Sequence, residues 1–159
     1  MIWGCFMGNK LKSIAFIDGS IKKEQYIAIL DQYLLEFIDA LRVDDLWDIT
    51  FQQDNARPHT ANLSRDWLKN AAREHGFIIL KWSSNSSNMN PIKNLWAYLK
   101  LELHRRYPDI KYLSRSLIMI KEILKYHLFE VWEMIEEKIL NKLMKNMSWY
   151  VYILLEVKS

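Results

Sequence analysis

Ten residues, Phe51-Gln52-Gln53-Asp54-Asn55-Ala56-Arg57-Pro58-His59-Thr60, place the tightest limit on how this chain can fold. The β-prone segment Asp48-Ile49-Thr50-Phe51 leads into them. Pro58 ends any strand, because proline has no N–H for a ladder and holds its predecessor extended. Asp54 is therefore expected at the C-terminal end of a strand, where open α/β sheets place their chemistry. A second reading stands beside that one: the aspartate starts a turn, or caps the helix after Pro58, by accepting free N–H groups.

Strand and helix patterns alternate along the rest of the chain. Ile2–Met7 and Leu11–Ile17 are β-prone runs joined by Gly8-Asn9-Lys10, which predicts a hairpin. Asp18-Gly19-Ser20 is a turn, with Ser20 placed to cap a helix. From Lys22 to about Arg42, Tyr26, Leu30, Tyr33, Leu34, Phe37, Ile38 and Leu41 recur at helical spacing. They predict a long amphipathic helix that covers a sheet and carries no site. Thr60 is expected to cap a helix over Ala61–His75 (Leu63, Trp67, Leu68, Ala71), and Gly76 to close it. Phe77–Trp82 is apolar almost throughout, as in a strand buried on both faces. A polar loop, Ser83–Asn90, precedes a helix that starts at Pro91 and ends near Arg106, before Tyr107-Pro108. Ile92, Leu95, Trp96, Leu99 and Leu103 form its apolar face. A helical stripe then runs through Leu117, Ile120, Ile123, Leu124, Leu128, Trp132, Ile135, Ile139, Leu143 and Met147. The class is α/β: a single domain over 1–159 with a helical tail at about 114–147.

Half of the 159 residues are apolar and 13% are aromatic, which favours a packed core over disorder. The net charge of +3 permits a polyanionic partner without requiring one. The single cysteine, Cys5, excludes an internal disulfide and a cysteine-rich zinc site, and is expected as a small buried apolar residue in a reducing compartment. The apolar start is too short for a signal peptide, and Trp149–Val157 is about half the ~20 residues that span a bilayer. A soluble protein with no membrane partner is expected.

Two blocks carry a family resemblance. Gln53-Asp54-Asn55-Ala56-Arg57-Pro58-His59-Thr60-Ala61 and Met89-Asn90-Pro91-Ile92-Lys93-Asn94-Leu95-Trp96 resemble motifs of the mariner-type transposases, DNA-cutting and strand-transfer enzymes of the DDE superfamily. Trp3-Gly4-Cys5-Phe6 and Ile17-Asp18-Gly19-Ser20 resemble further segments, so the similarity covers nearly the whole chain. It implies a ribonuclease H-like fold. Because the chain begins near that fold's second strand, the expected fold lacks its first strand. The resemblance also implies DNA as substrate, a nuclear location in a eukaryotic cell, and Mg²⁺ or Mn²⁺ held by three acids. Two such ions about 3.5–4 Å apart activate the attacking oxygen and stabilise the leaving one, and they need several carboxylate oxygens.

Measured against the family, two acids are missing. The first-strand aspartate falls outside the sequence, and the glutamate of the family signature is replaced by Lys93. Glu74 and Asp109 are badly placed to replace it. Glu102, nine residues on, points to the opposite side of the helix about 13 Å away. Asp54 is left as a catalytic remnant, a metal ligand only if activity is retained, and is expected to pair with Lys93.

The expected function is thus the endonuclease and strand-transfer domain of a transposase, active in DNA transposition and integration by descent and inactive in this chain. The alternative is a non-catalytic nucleic-acid-binding or protein-interaction module. In that reading Lys93, Lys100, Arg105 and Arg106 contact DNA phosphates. Lys93, Lys100 and His104 share one helical stripe, for which an ordinary solvated charged face is the commoner explanation. A full-length transposase or a second copy of the chain is the expected protein partner. His59 is expected to make a structural hydrogen bond, His104 and His127 not to share a metal, and Trp67, Trp82, Trp96 and Trp132 to lie in the core.

Overall fold

The computed structural model describes residues 1–12, 14–43, 49–80 and 90–156, without the side chains of 43, 111 and 148–156. The chain falls into two units, Met1–Cys5 with Ala15–Asn90, and Phe6–Ile14 with Pro91–Ser159. Both are built from short ladders and longer helices, the mixed α/β class expected. Among the described residues no helix is long and apolar enough to cross a membrane.

In the first unit, β1 (Ile2–Trp3) pairs antiparallel with β4 (Ala15–Phe16), Ile2 opposite Phe16. Gly19, at φ 76°, turns the chain out of β4. Helix α1 (Lys23–Ile29) begins after Lys22, not after Ser20. The Gln25 side chain supplies the acceptor there, taking the Lys22 N–H at 2.9 Å. A π-helical turn (Leu30–Leu35) follows, and α2 (Glu36–Val43) continues it. Tyr26, Leu30, Leu34 and Ile38 are all buried. An unbroken i, i+4 repeat would drift about 40° per step around a 3.6-residue helix, and the wider π turn takes up that drift. The long amphipathic helix is borne out.

Strand β5 (Thr50–Phe51) pairs in parallel with β6 (Ile78–Ile79), Thr50 opposite Ile78. Between them lie the single turn α3 (Arg57–Thr60) and α4 (Asn62–His75). Thr60 does not cap α4. It ends α3, its hydroxyl directed back to the carbonyls of Ala56 and Arg57, and Ala61 holds the cap position. Gly76 does close α4, at φ 64° and ψ 39°, the left-handed geometry that glycine adopts without strain. The double-sided burial expected for Phe77–Leu80 is corrected: Phe77 is buried, yet Ile78 and Leu80 are exposed. Alternate residues of a strand face opposite ways, and Ile78 and Leu80 share the face turned to solvent. Leu63 is likewise exposed on α4, and Cys5 is only half-buried. Asp48, Lys81, Trp82 and most of the Ser83–Asn90 loop lie outside the described residues.

The second unit opens with the hairpin β2 (Phe6–Met7) and β3 (Lys10–Leu11), turned at Gly8 with φ 57°. Helix α5 (Pro91–Arg106) has the expected bounds. A 3₁₀ turn (Pro108–Tyr112) leads to α6 (Leu117–Glu133) and α7 (Glu137–Glu156). Leu95, Leu99, Leu103, Val131, Trp132, Ile135 and Leu140 form the core. Trp132 stacks on Trp96 at 5.3 Å and donates its indole N–H to the Lys12 carbonyl at 2.9 Å. The stripe expected from Leu117 onward is corrected at its start. Leu117 is exposed, and Ser116 caps α6 by accepting the Met119 N–H.

Candidate functional site

Asp54 follows β5 by three residues, and its carboxylate is already engaged. Oδ1 accepts the Ala56 N–H at 3.0 Å, closing a turn, and lies 2.8 Å from Nδ1 of His59. Both readings of Asp54 therefore hold together: the residue stands just past a strand end, and it builds the turn into α3. Pro58, in the first turn of α3, helps set that short helix, which carries His59 back toward Asp54. The Asp54 side chain is 40% exposed and that of His59 19%.

The first helix supplies the back of this cluster, which corrects the expectation that it carries no site. The Tyr26 ring stacks on His59, with centroids 4.2 Å apart and planes 27° from parallel. Its hydroxyl donates to Oε1 of Gln53, and Nε2 of Gln53 donates to the His59 carbonyl at 3.4 Å. Burial pushes the Tyr26 phenol well above its usual pKa; the nearby Asp54 charge and then Cys5 push it further. Tyr26, Gln53, Asp54 and His59 thus hold one another in place. The signal that could have revealed this is a tyrosine at the head of an apolar stripe, since a buried tyrosine hydroxyl usually finds a partner. His59 makes the structural contact expected of it.

In the second unit, Lys93 and Lys100 are exposed on α5. Arg105 and Arg106 both turn to Glu102, with contacts of 2.8 and 3.2 Å. The hydrogen bond from Arg105 and the charges and contacts of both arginines hold the Glu102 carboxyl below its usual range. Nδ1 of His104 lies 2.8 Å from the Lys100 carbonyl. His127 stacks on Tyr107 at 3.7 Å, and both reach Oε2 of Glu130. Among the described residues, no group of three or more His, Cys, Asp or Glu is arranged to hold a metal ion.

Residues 2–114 match the model of the DDE superfamily endonuclease family. The chain is 29% identical to the Tc3 transposase of Caenorhabditis elegans over 151 residues, covering 93% of this chain and 40% of that protein. It is 30% identical to the Tc1 transposase of the same organism over 152 residues, 92% of this chain and 48% of that protein. The Tcb1 transposase of Caenorhabditis briggsae is 30% identical over 111 residues, 70% of this chain and 37% of that protein. The chain therefore spans less than half the length of these relatives. With the family match spanning residues 2–114, well over half of its length, the chain belongs to the DDE superfamily endonucleases.

Proposed function

We propose that this chain carries the ribonuclease H-like scaffold of a transposase catalytic domain on which metal-dependent DNA cleavage and strand transfer have been lost. Membership of the family implies use of a divalent metal, and such a metal wants carboxylate oxygens. The donor set fits poorly. Lys93, where the family signature has glutamate, brings an ammonium that donates and cannot ligate. The observation that carries the proposal is the state of Asp54, whose Oδ1 is taken up by the Ala56 N–H and His59. A carboxylate held this way serves the turn.

Incubating supercoiled plasmid with the protein and Mg²⁺ or Mn²⁺ tests this reading. No nicking is expected. Metal-dependent nicking that disappears in Asp54→Ala would overturn it.

A second reading rests on the exposed Lys93 and Lys100 of α5. On it the chain binds the DNA backbone without cutting it, alone or beside a full-length transposase, in the nucleus of a eukaryotic cell. Phosphate contacts of this kind carry affinity without sequence selectivity and weaken with salt. Fluorescence anisotropy with a labelled duplex at low salt is expected to detect binding, and a flat signal there would remove this reading.

A further inference from the structure

Helix α4 is buried along one side through Ser64, Leu68 and Ala71. Its solvent side carries Arg65, Lys69 and Arg73, all exposed and each four residues from the next. That spacing sets them on one stripe of the helix, rising about 6 Å per step. Asn62 shares the stripe and accepts a hydrogen bond from Arg65, a neutral partner that leaves the guanidinium charge uncancelled. Among the described residues Arg73 has no carboxylate partner. Lys69 lies 3.6 Å from Asp66, with side chains 66% and 69% exposed, and an ion pair so open to water contributes little. Asp66 borders the stripe, whereas Glu74, nine positions from Arg65, falls on the other side of the helix from it.

The stability of α4 does not account for this row. Arg65 stands near the start of the helix, where the macrodipole disfavours a cation, and no acid stands in the first turn to offset it. Cations repeated at about 6 Å suit a polyanion whose own charges recur at regular steps, as phosphates do along a nucleic-acid strand. A membrane surface suits them less, because no apolar side chain interleaves with the cations to enter the acyl boundary.

We propose that α4 is a phosphate-contact surface for a nucleic-acid strand, with Arg65, Lys69 and Arg73 each meeting a backbone phosphate. Such contacts fix position and carry no sequence information. The proposal rests on the reading that the chain binds DNA, and it adds a surface in the first unit to that of α5.

Fluorescence anisotropy of the full chain with a labelled duplex, repeated over a salt series, tests it. Arg65→Gln, Lys69→Gln and Arg73→Gln should each flatten the slope of log binding constant against log salt by about 0.9, and all three together by about 2.7. The three positions are exposed, and unchanged circular dichroism confirms that each variant folds. Asp66→Asn and Glu74→Gln raise the net charge equally, yet only Asp66→Asn, beside the stripe, should tighten binding severalfold. A slope unmoved by the three substitutions overturns the proposal and leaves DNA binding itself standing. Equal tightening by the two acid variants overturns it as well, since net charge alone would then be acting. Substitutions that weaken binding to phosphatidylserine vesicles and not to the duplex would assign the stripe to a membrane and also overturn it. No binding at low salt removes both the proposal and the reading beneath it.

Discussion

The ring of Tyr26 lies 4.2 Å from that of His59, and His59 in turn lies 2.8 Å from the carboxylate of Asp54. Through this stack the first turn of α1 holds the loop that follows β5. The Asp54 carboxylate is therefore fixed by a tyrosine far from it in sequence. The consequences are measurable, because the Tyr26 hydroxyl is both buried and bonded to Gln53.

Tyr26→Phe removes that donor and leaves the Gln53 carbonyl without it. A loss of about 1–3 kcal/mol at neutral pH is expected, read as a lower urea midpoint at unchanged slope. The pH dependence adds a second check. Burial raises the Tyr26 pKa in the folded state, so the unfolded chain gives up this proton first, near pH ~10. The contribution of Tyr26 is then complete below about pH 10 and declines above it, by up to about 1.4 kcal/mol per pH unit. The margin of the natural protein over Tyr26→Phe should shrink through that range. A margin constant from neutral to alkaline pH would show that the phenol is not held neutral by its surroundings.

How far the sequence reaches can be judged from particular residues. Pro91, Gly76 and the break at Tyr107-Pro108 mark boundaries correctly, because proline and glycine act on the local backbone alone. Ser20 and Thr60 mislead because a capping residue needs the chain to enter the helix at the right angle. A lysine whose N–H finds Gln25, and an alanine, hold those positions instead. Ile78 and Leu80 look like core by composition, yet burial depends on which neighbours reach each face of a two-stranded ladder. Asp54 was legible as a strand-end residue. The three partners that fix it were less so, since the stack on Tyr26 spans parts of the chain that only folding brings together.

Gly76 is a second point where one atom decides the outcome. A Cβ there would run into the guanidinium of Arg42, which donates to the Gly76 carbonyl at 3.0 Å. The left-handed φ of 64° penalises any L side chain as well, by about 1–2 kcal/mol. Gly76→Ala is expected to destabilise the first unit by at least that amount, with the Arg42 bond lost besides. Thermal denaturation of the two proteins checks it, and an equal or higher midpoint for the variant would contradict it.

Glu130 links acid sensitivity to the second unit. The hydrogen bond from the Tyr107 hydroxyl, then that from His127, hold its carboxyl below the ordinary glutamate value. A depressed folded-state pKa means a contribution that is present above the unfolded value of about 4.3 and is lost as pH falls through the folded one. Glu130→Gln should therefore be less stable than the natural protein at neutral pH. The two should converge as the solution is acidified below about pH 4, where all other carboxylates titrate alike in both. Curves that stay parallel down to acid pH would show that the charge of Glu130 contributes nothing.

The basic residues of α5 divide by their partners, and this separates them in a binding experiment. Arg105 and Arg106 are committed to Glu102, so a phosphate must compete with a carboxylate for each of them. Lys93 and Lys100 sit exposed on the same helix. Each phosphate contact steepens the fall of log binding constant with log salt by about 0.9. If the chain binds duplex DNA through α5, Lys93→Gln and Lys100→Gln should each flatten that slope by about 0.9. Arg105→Gln should flatten it less, because removing the arginine also frees the negative charge of Glu102 beside the DNA and weakens binding by repulsion. Anisotropy titrations across a salt series distinguish the two effects. A slope unmoved by replacing both lysines would place any DNA contact on another surface.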